Sequence, residues 1–235
     1  MADVLRSSWL SRRSPAFTLV ELLIVLALVG GISGLLLGGL GEGSGAASLR
    51  SNRATLASQI LVARTQAIAS GKSTRLLINL DAVSPRSPSR FLRYIVVQAQ
   101  SASGWRTVSE AMLSEGVYLV PGDFALPSGL FAQSVDAWIR VDGATSLRSS
   151  ALRATQITTE AIESATAEKW VSVSFSGSGT TAQAGDLILT LGRNRSPTSY
   201  TPGQAPAELI SRDQVCGVTL SSYGIAVLIG NRASF

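Results

Sequence analysis

The sequence predicts an α+β protein in which a long N-terminal helix packs on an antiparallel β-sheet. Apolar residues with helical periodicity fill the N-terminal part of the chain, and short runs that alternate apolar and polar residues follow it. An amphipathic helix needs a partner for its apolar face, and a sheet that is wet on one face needs a cover for the other. Packing the helix on the sheet satisfies both requirements.

The most apolar stretch of the chain extends from Leu22 to Leu40, which is 19 residues without a charge. About 20 such residues span the hydrocarbon core of a bilayer as a helix. The head that precedes this stretch, residues 1–16, carries three arginines and one aspartate. Because positive charge is retained in the cytoplasm, we expect a single-pass protein with a cytoplasmic N-terminus and an exported C-terminal domain.

Three interpretations of this segment compete. A cleaved secretory signal has an apolar region of only about 7–15 residues, which is shorter than the stretch found here. A plain transmembrane anchor leaves Glu21 unexplained, because apolar residues precede it and a carboxylate at a bilayer centre costs about 2.5–3.5 kcal/mol. The third interpretation treats residues 17–40 as one apolar segment with a single acid placed near its start.

Residues 14–23, SPAFTLVELL, resemble the class III signal of type IV pilins and type II secretion pseudopilins. The resemblance implies that a prepilin peptidase cuts between Ala16 and Phe17 and methylates the new N-terminus. The family usually has glycine before the cut, where this chain has Ala16. Glu21 then becomes the fifth residue of the mature chain and faces the free amine of a neighbouring Phe17 in a filament, where a low dielectric strengthens the attraction.

The function that this resemblance implies is that of a minor pseudopilin or pilin-like subunit, with no catalysis and no cofactor. It implies a pilin-like fold, an inner-membrane anchor, a periplasmic domain before assembly, and prepilin peptidase and other pilin subunits as partners. The predicted domains are a leader (1–16), an apolar assembly helix with a glycine-rich end (17–45) and an exported domain (46–235). One alternative is an unprocessed, membrane-anchored domain.

Glycines interrupt the end of the apolar segment, and residues 38–45 hold five of them. Each glycine costs a helix about 1 kcal/mol relative to alanine. The sequence therefore predicts a weak or melted section between the membrane segment and the exported domain.

Helical periodicity returns in residues 46–70 and ends at Gly71. The predicted buried face is formed by Leu49, Leu56, Ile60, Ala63 and Ala67. The end of this segment, residues 63–71, resembles the helix end of H-type minor pseudopilins. Two later segments, residues 175–179 and 222–227, resemble the turns of the same group, although they also fit ordinary hairpin turns.

After Lys72 the alternation has a period of two, which predicts strands. The predicted strands cover residues 75–80, 91–98, 105–108, 117–120, 137–141, 171–175, 187–191 and 225–229. Proline, serine and glycine predict loops at residues 84–89 and 192–206. A segment rich in alanine and glutamate, residues 152–169, fits a helix.

The composition argues against an enzyme. The chain has no histidine and one cysteine, Cys216, which excludes Ser-His-Asp triads, Cys-His pairs, imidazole metal sites and an internal disulfide. The only lysines, Lys72 and Lys169, lie at predicted element boundaries, and the aspartates lack the spacing of a calcium loop. We therefore expect no active site, no metal and no cofactor.

Nucleic acid is a further alternative partner. Without its leader the chain keeps 17 cations and 14 acids, and Arg193, Arg195 and Arg212 lie in or beside one predicted loop, near Tyr200. Basic loops attract phosphate, and this attraction weakens with salt. The pattern therefore allows a DNA-binding minor pilin.

Overall fold

The computed structural model describes residues 19–83, 87–132, 147–162, 166–196, 201 and 203–235. The predicted α+β class is confirmed, since one long helix precedes antiparallel strands in the described residues. The helices are α1 (Leu19–Ser70) and α2 (Ser87–Arg90). The strands are β1 (Thr74–Asn79), β2 (Tyr94–Ser101), β3 (Gly104–Met112), β4 (Val117–Leu119), β5 (Ile157–Glu160), β6 (Glu168–Phe175), β7 (Gly185–Asn194), β8 (Ala207–Leu209), β9 (Val215–Leu220) and β10 (Ala226–Ile229).

The strands form two antiparallel sheets, where the sequence predicted one. Sheet A has the order β3-β2-β1-β6-β5, and sheet B has the order β10-β9-β7-β4, with β8 paired to one end of β7. Strand β1 lies at the centre of sheet A, with Leu76 opposite Val97 on one side and Val173 on the other. Two sheets arise because the middle of the chain leaves sheet A after β3 and returns to it only at β5.

The chain divides into two compact units, Met1–Gly43 and Ser44–Phe235. The backbone of α1 is helical through residues 38–45, where the sequence predicted a weak or melted section. Extending an existing helix requires no new nucleus, so each glycine there costs only its own propensity. In the part of the chain that the structure describes, no helix is both long and apolar enough to cross a membrane.

The second half of α1 packs on both sheets through the predicted apolar face. All five predicted residues of that face are buried. Each sheet also donates a hydrogen bond to a helix carbonyl: the Thr74 hydroxyl in β1 to Ala63 O at 2.7 Å, and the Cys216 thiol in β9 to Leu49 O at 3.4 Å. Burial raises the pKa of the Cys216 thiol to about 11, so this group stays protonated and donates.

The face of sheet A that is turned away from α1 is not wet, and the prediction of a solvated face is wrong here. Every residue of β1 is buried. A second apolar cluster covers this face and is formed by Leu77, Tyr94, Val96, Ile162 and Trp170. The residues that follow β5 supply Ile162, which explains why strand alternation alone could not show the cover.

Charged side chains complete this outer face. The guanidinium of Arg75 forms a bidentate ion pair with Glu160, in which Nη1 lies 2.7 Å from Oε1 and Nη2 contacts Oε2. The same guanidinium donates to Gln98 and lies over the Trp105 ring. Arg90 lies over the Tyr94 ring, with its guanidinium carbon 3.8 Å from the ring centroid. The face is therefore closed by ion pairs and stacked cations.

Some predicted elements need correction. The described residues of 152–169 form no α-helix, because the β-branched run Ile157-Thr158-Thr159 pairs with β6 as β5. Before it, Ala154–Gln156 form a 3₁₀ turn. The predicted loop at 84–89 overlaps the single turn α2, which extends to Arg90. Strands β8 and β9 were not predicted, and the predicted strand 137–141 lies outside the described residues.

The helix register gives a matched pair of tests. Leu56 is fully buried on α1, whereas 60% of Leu61 is exposed on the other side of the same helix. We expect Leu56→Ala to lower the free energy of unfolding by about 2–5 kcal/mol, because it leaves a cavity in the core. Leu61→Ala should change it by about 0.5 kcal/mol or less. Urea unfolding of the full-length chain in mild detergent, followed by tryptophan fluorescence, measures both, and equal losses would contradict this helix register.

The Arg75–Glu160 ion pair predicts that the stability of the fold depends on pH. Hydrogen bonds from Arg75 lower the pKa of Glu160. The pair therefore stabilises the fold above the pKa of an unfolded glutamate, about 4.3, and this stabilisation is lost as pH falls through the lower pKa of the folded state. We expect Glu160→Gln to be less stable than the parent at neutral pH and to approach it in acid. A difference in unfolding free energy that stays constant with pH would exclude the linkage.

Candidate assembly surface

The residues predicted for processing and assembly lie at the edge of the described chain. Ala16 and Phe17 are outside the described residues. Glu21 lies in α1, close to the first described residue Leu19, and its side chain is also outside the described set. The side chains of residues 27–44 are likewise outside the described set. The cut, the pairing of Glu21 with Phe17 and the membrane span of Leu22–Leu40 therefore stay predictions.

The three arginines predicted for nucleic-acid contact do not form a free basic loop. Arg193 belongs to β7, so the loop predicted at 192–206 begins later than expected. Arg193 and Arg195 both pair with Glu208, whose carboxylate lies 2.7 and 3.3 Å from their Nη2 atoms. Arg212 lies 3.7 Å from Asp213. Each arginine therefore has a carboxylate neighbour, which weakens its attraction for phosphate.

The described residues contain no group of three or more histidines, cysteines, aspartates or glutamates that could hold a metal ion. The one cysteine is buried, with a raised pKa, which is the opposite of a reactive thiol. The features that remain to be explained are surface features, and the main one is apolar.

An apolar groove of about 480 Å³ lies between the second half of α1 and strand β10. Its walls are the exposed side of the helix and the end of the last hairpin. It is lined by Ala54, Ala57, Ser58, Ile60, Leu61, Arg64, Gly224, Ile225, Ala226 and Leu228. Sequence analysis did not single out this groove, because an apolar residue in a strand pattern is read as a core residue.

Large apolar side chains are exposed along both walls of this groove. The exposed fractions are 60% for Leu61 on the helix wall and 52% for Leu228 on the strand wall. Ile68, Tyr223 and Ile225 extend the exposed surface along the helix and the hairpin turn. Contiguous exposed apolar surface marks an interaction site more often than isolated residues do.

Two glycine turns hold the hairpin against the helix at one end of the groove. Gly224 has φ +72°, and a Cβ there would lie 2.2 Å from the carbonyl oxygen of Gly179. Gly179 has φ +79° and lies against Ile68 and Arg64 of α1. The predicted turns at 175–179 and 222–227 are thus confirmed as turns, and their close contact fixes where β10 begins.

The charges on the helix wall of the groove are positive. Between Ser44 and Ser70 the chain has three arginines and no acid, and the β9–β10 hairpin, residues 215–229, has no charge. Arg64 lines the groove, and its Nε donates to Tyr223 O at 3.1 Å. The Nη1 atom of Arg53 lies near Gly230, and its buried Nε has no hydrogen-bond partner among the described residues.

Comparisons with known proteins give likenesses in structure. No protein-family model matches the chain, and no curated protein matches it. Two solved structures of the minor pseudopilin EpsH, from the type 2 secretion system of Vibrio cholerae, are similar to it. One is 17% identical with a TM-score of 0.37 and covers 77% of this chain and 95% of its own. The other is 15% identical with a TM-score of 0.37 and covers 77% and 93%.

The hairpin contact gives a matched pair of glycine tests. Gly71 also has a left-handed φ, +63°, but a Cβ there would meet no atom within 4 Å. Gly71→Ala should therefore cost only the left-handed penalty, about 1–2 kcal/mol. We expect Gly224→Ala to cost about 1–3 kcal/mol more, because its methyl group collides with the backbone. Urea unfolding measures both values, and equal losses would show that the hairpin moves away freely.

Proposed function

We propose that this chain is a minor pseudopilin or pilin-like structural subunit that works by packing in a filament. In this proposal a prepilin peptidase cuts between Ala16 and Phe17, the apolar helix holds the subunit in the inner membrane, and the domain from residue 46 is exported. The resemblance of residues 14–23 to the pilin signal supports the cut.

The observation that carries the proposal is the position of that signal relative to α1. The described part of the helix runs without a break from Leu19 to Ser70, and Leu19 is the third residue after the predicted cut. Its last turns carry the apolar face that forms the core of the exported domain. A single secondary-structure element therefore contains the predicted assembly residue Glu21 and the residues that hold the domain together.

The role proposed for Glu21 is electrostatic. Removing the leader creates a new amino group on Phe17, and a carboxylate five residues into the mature chain attracts the amino group of a neighbouring subunit. The pair becomes favourable when both charges are enclosed among apolar helices, because an unpaired charge there is costly. It would fix the axial position of one subunit on the next.

Two variants separate processing from assembly. Co-expression with a prepilin peptidase should remove residues 1–16 and leave a methylated Phe17, as measured by intact mass. Ala16→Gly, which restores the residue usual in the family, should be cut at least as completely. We expect Glu21→Ala to be cut normally and to lose incorporation into sheared filaments, because its partner amine is left without a counter-charge.

Glu42→Ala is the matched control, since it removes the other acid of α1. It should be cut and incorporated like the parent chain. A mature chain that still begins at Met1 in the presence of the peptidase would refute the proposal. Normal incorporation of Glu21→Ala would refute the role of Glu21 in assembly, and a parent chain that never enters filaments would favour an unprocessed, anchored domain.

A further inference from the structure

The four sheet edges differ in how they are protected from pairing with another chain. Strand β3 carries the charged residues Arg106 and Glu110 and has a bulge at Val108, opposite Val97 and Gln98 of β2. Strand β5 has four residues and ends in the ion-paired Glu160, and β4 has three residues that are all buried. Strand β10 has no charge and no proline, and its two central residues, Val227 and Leu228, are exposed. It therefore lacks the usual protection of an edge strand.

The backbone of β10 presents hydrogen-bonding groups at its open edge. The N–H of Ser221 donates to Ile225 O at 2.9 Å, so Ile225 faces β9. Hydrogen-bonded pairs alternate along an antiparallel ladder, so Val227 and Ile229 also face β9. The N–H and C=O groups of Ala226 and Leu228 consequently point to the open edge. These two residues also line the groove.

The side chains of β10 show which face of an added strand would pack against α1. Leu228 pairs with Val218, which lies two residues from Cys216 and hence on the face of sheet B that contacts α1. Val227 pairs with Thr219 on the opposite face. A further strand would lie about 4.8 Å beyond β10. Its inward side chains would then pack on the exposed Leu61 of the helix.

The charges beside the groove select the chemistry of the occupant. The helix wall carries Arg53 and Arg64 and no acid, and the hairpin wall is uncharged. A second copy that placed its own groove against this one would bring the same arginines and no compensating carboxylate. A partner segment that combines alternating apolar residues with a flanking acid matches both the apolar walls and the positive charge.

We propose that the groove between α1 and β10 binds an extended segment of a partner protein as an added strand of sheet B. The segment pairs with the open-edge groups of Ala226 and Leu228, packs alternate apolar side chains on Leu61, and places a carboxylate near Arg53 or Arg64. This is strand addition at a sheet edge, in which the backbone supplies affinity and the side chains supply specificity. If the function proposed above holds, the segment belongs to a neighbouring subunit. The binding site itself does not depend on that function.

The test uses the full-length chain in detergent micelles and a fluorescent peptide of alternating valine and threonine with an aspartate at each end. Anisotropy measures binding, with empty micelles as background. We expect the peptide to bind, a version with lysine in place of aspartate to bind about tenfold more weakly, and a version with alternate backbone amides N-methylated to lose binding. Equal binding by the N-methylated peptide would overturn strand addition.

Two lysine substitutions on the same strand form a matched pair. Leu228→Lys places a charge in the groove and should weaken binding about tenfold or more. Val227→Lys places the same charge on the opposite face, at similar exposure, and should change binding by about twofold or less. Equal effects of the two variants would overturn the assignment of the groove.

The charge selection and the alternative occupant have their own readouts. Arg53→Gln together with Arg64→Gln should remove the preference for aspartate over lysine in the peptide, and an unchanged preference would refute the role of these arginines.

Self-association is the alternative occupant of the groove. If sedimentation shows a dimer that Leu228→Lys dissociates, and the peptide does not bind, the proposal is overturned in favour of self-association. Removal of residues 1–16 by the peptidase does not involve β10, so Leu228→Lys should be cut normally, and a failure of this site leaves the proposed function standing.

Discussion

The packing of the second half of α1 on both sheets is the contact on which the rest of the domain depends. Full burial of a leucine or isoleucine contributes about 1.5–3 kcal/mol, and Leu56 and Ile60 are both fully buried. The two sheets are tied to the helix from opposite ends of this face, through Thr74 to Ala63 and through Cys216 to Leu49. Because both sheets pack on the same helix, the helix determines the position of each sheet. It therefore also determines the position of β10, the edge strand of sheet B.

Small residues decide how closely the sheets approach the helix. Ala63 and Ala67 are buried one turn apart, which lets the hydroxyl of Thr74 reach a helix carbonyl at 2.7 Å. A larger side chain at either position would separate the backbone of β1 from the helix. The buried face of the helix could be predicted from the sequence. The alanines and leucines that form it recur at helical spacing within one short segment, so no distant residue is needed to recognise it.

The outer face of sheet A shows why the remainder could not be predicted. Arg75 and Glu160 are 85 residues apart, and Arg90 and Glu168 are 78 residues apart, so neither pair leaves a local signal. A charged residue is ordinarily expected to face solvent, yet Arg75, Arg90 and Glu168 are buried here because each has a partner of opposite charge. The same limit explains the wrong helix at 152–169, where pairing with β6 overrides the alanine-rich composition of the segment.

The candidate site divides in the same way. The signal around Ala16, Phe17 and Glu21 is a contiguous motif, so the sequence alone predicts it. The groove needs the fold, since Leu61 and Leu228 are distant in sequence and each belongs to an apolar pattern that is otherwise buried.

Opposite sides of α1 therefore serve different purposes. Leu56 faces the core and holds the sheets, whereas Leu61, little more than one turn later, faces the groove and contributes little to the core. An apolar residue that remains exposed beside an unprotected strand edge adds a risk of aggregation without a comparable gain in stability. A partner that covers the edge removes that risk, and the helix can present the surface because its other side already holds the domain together.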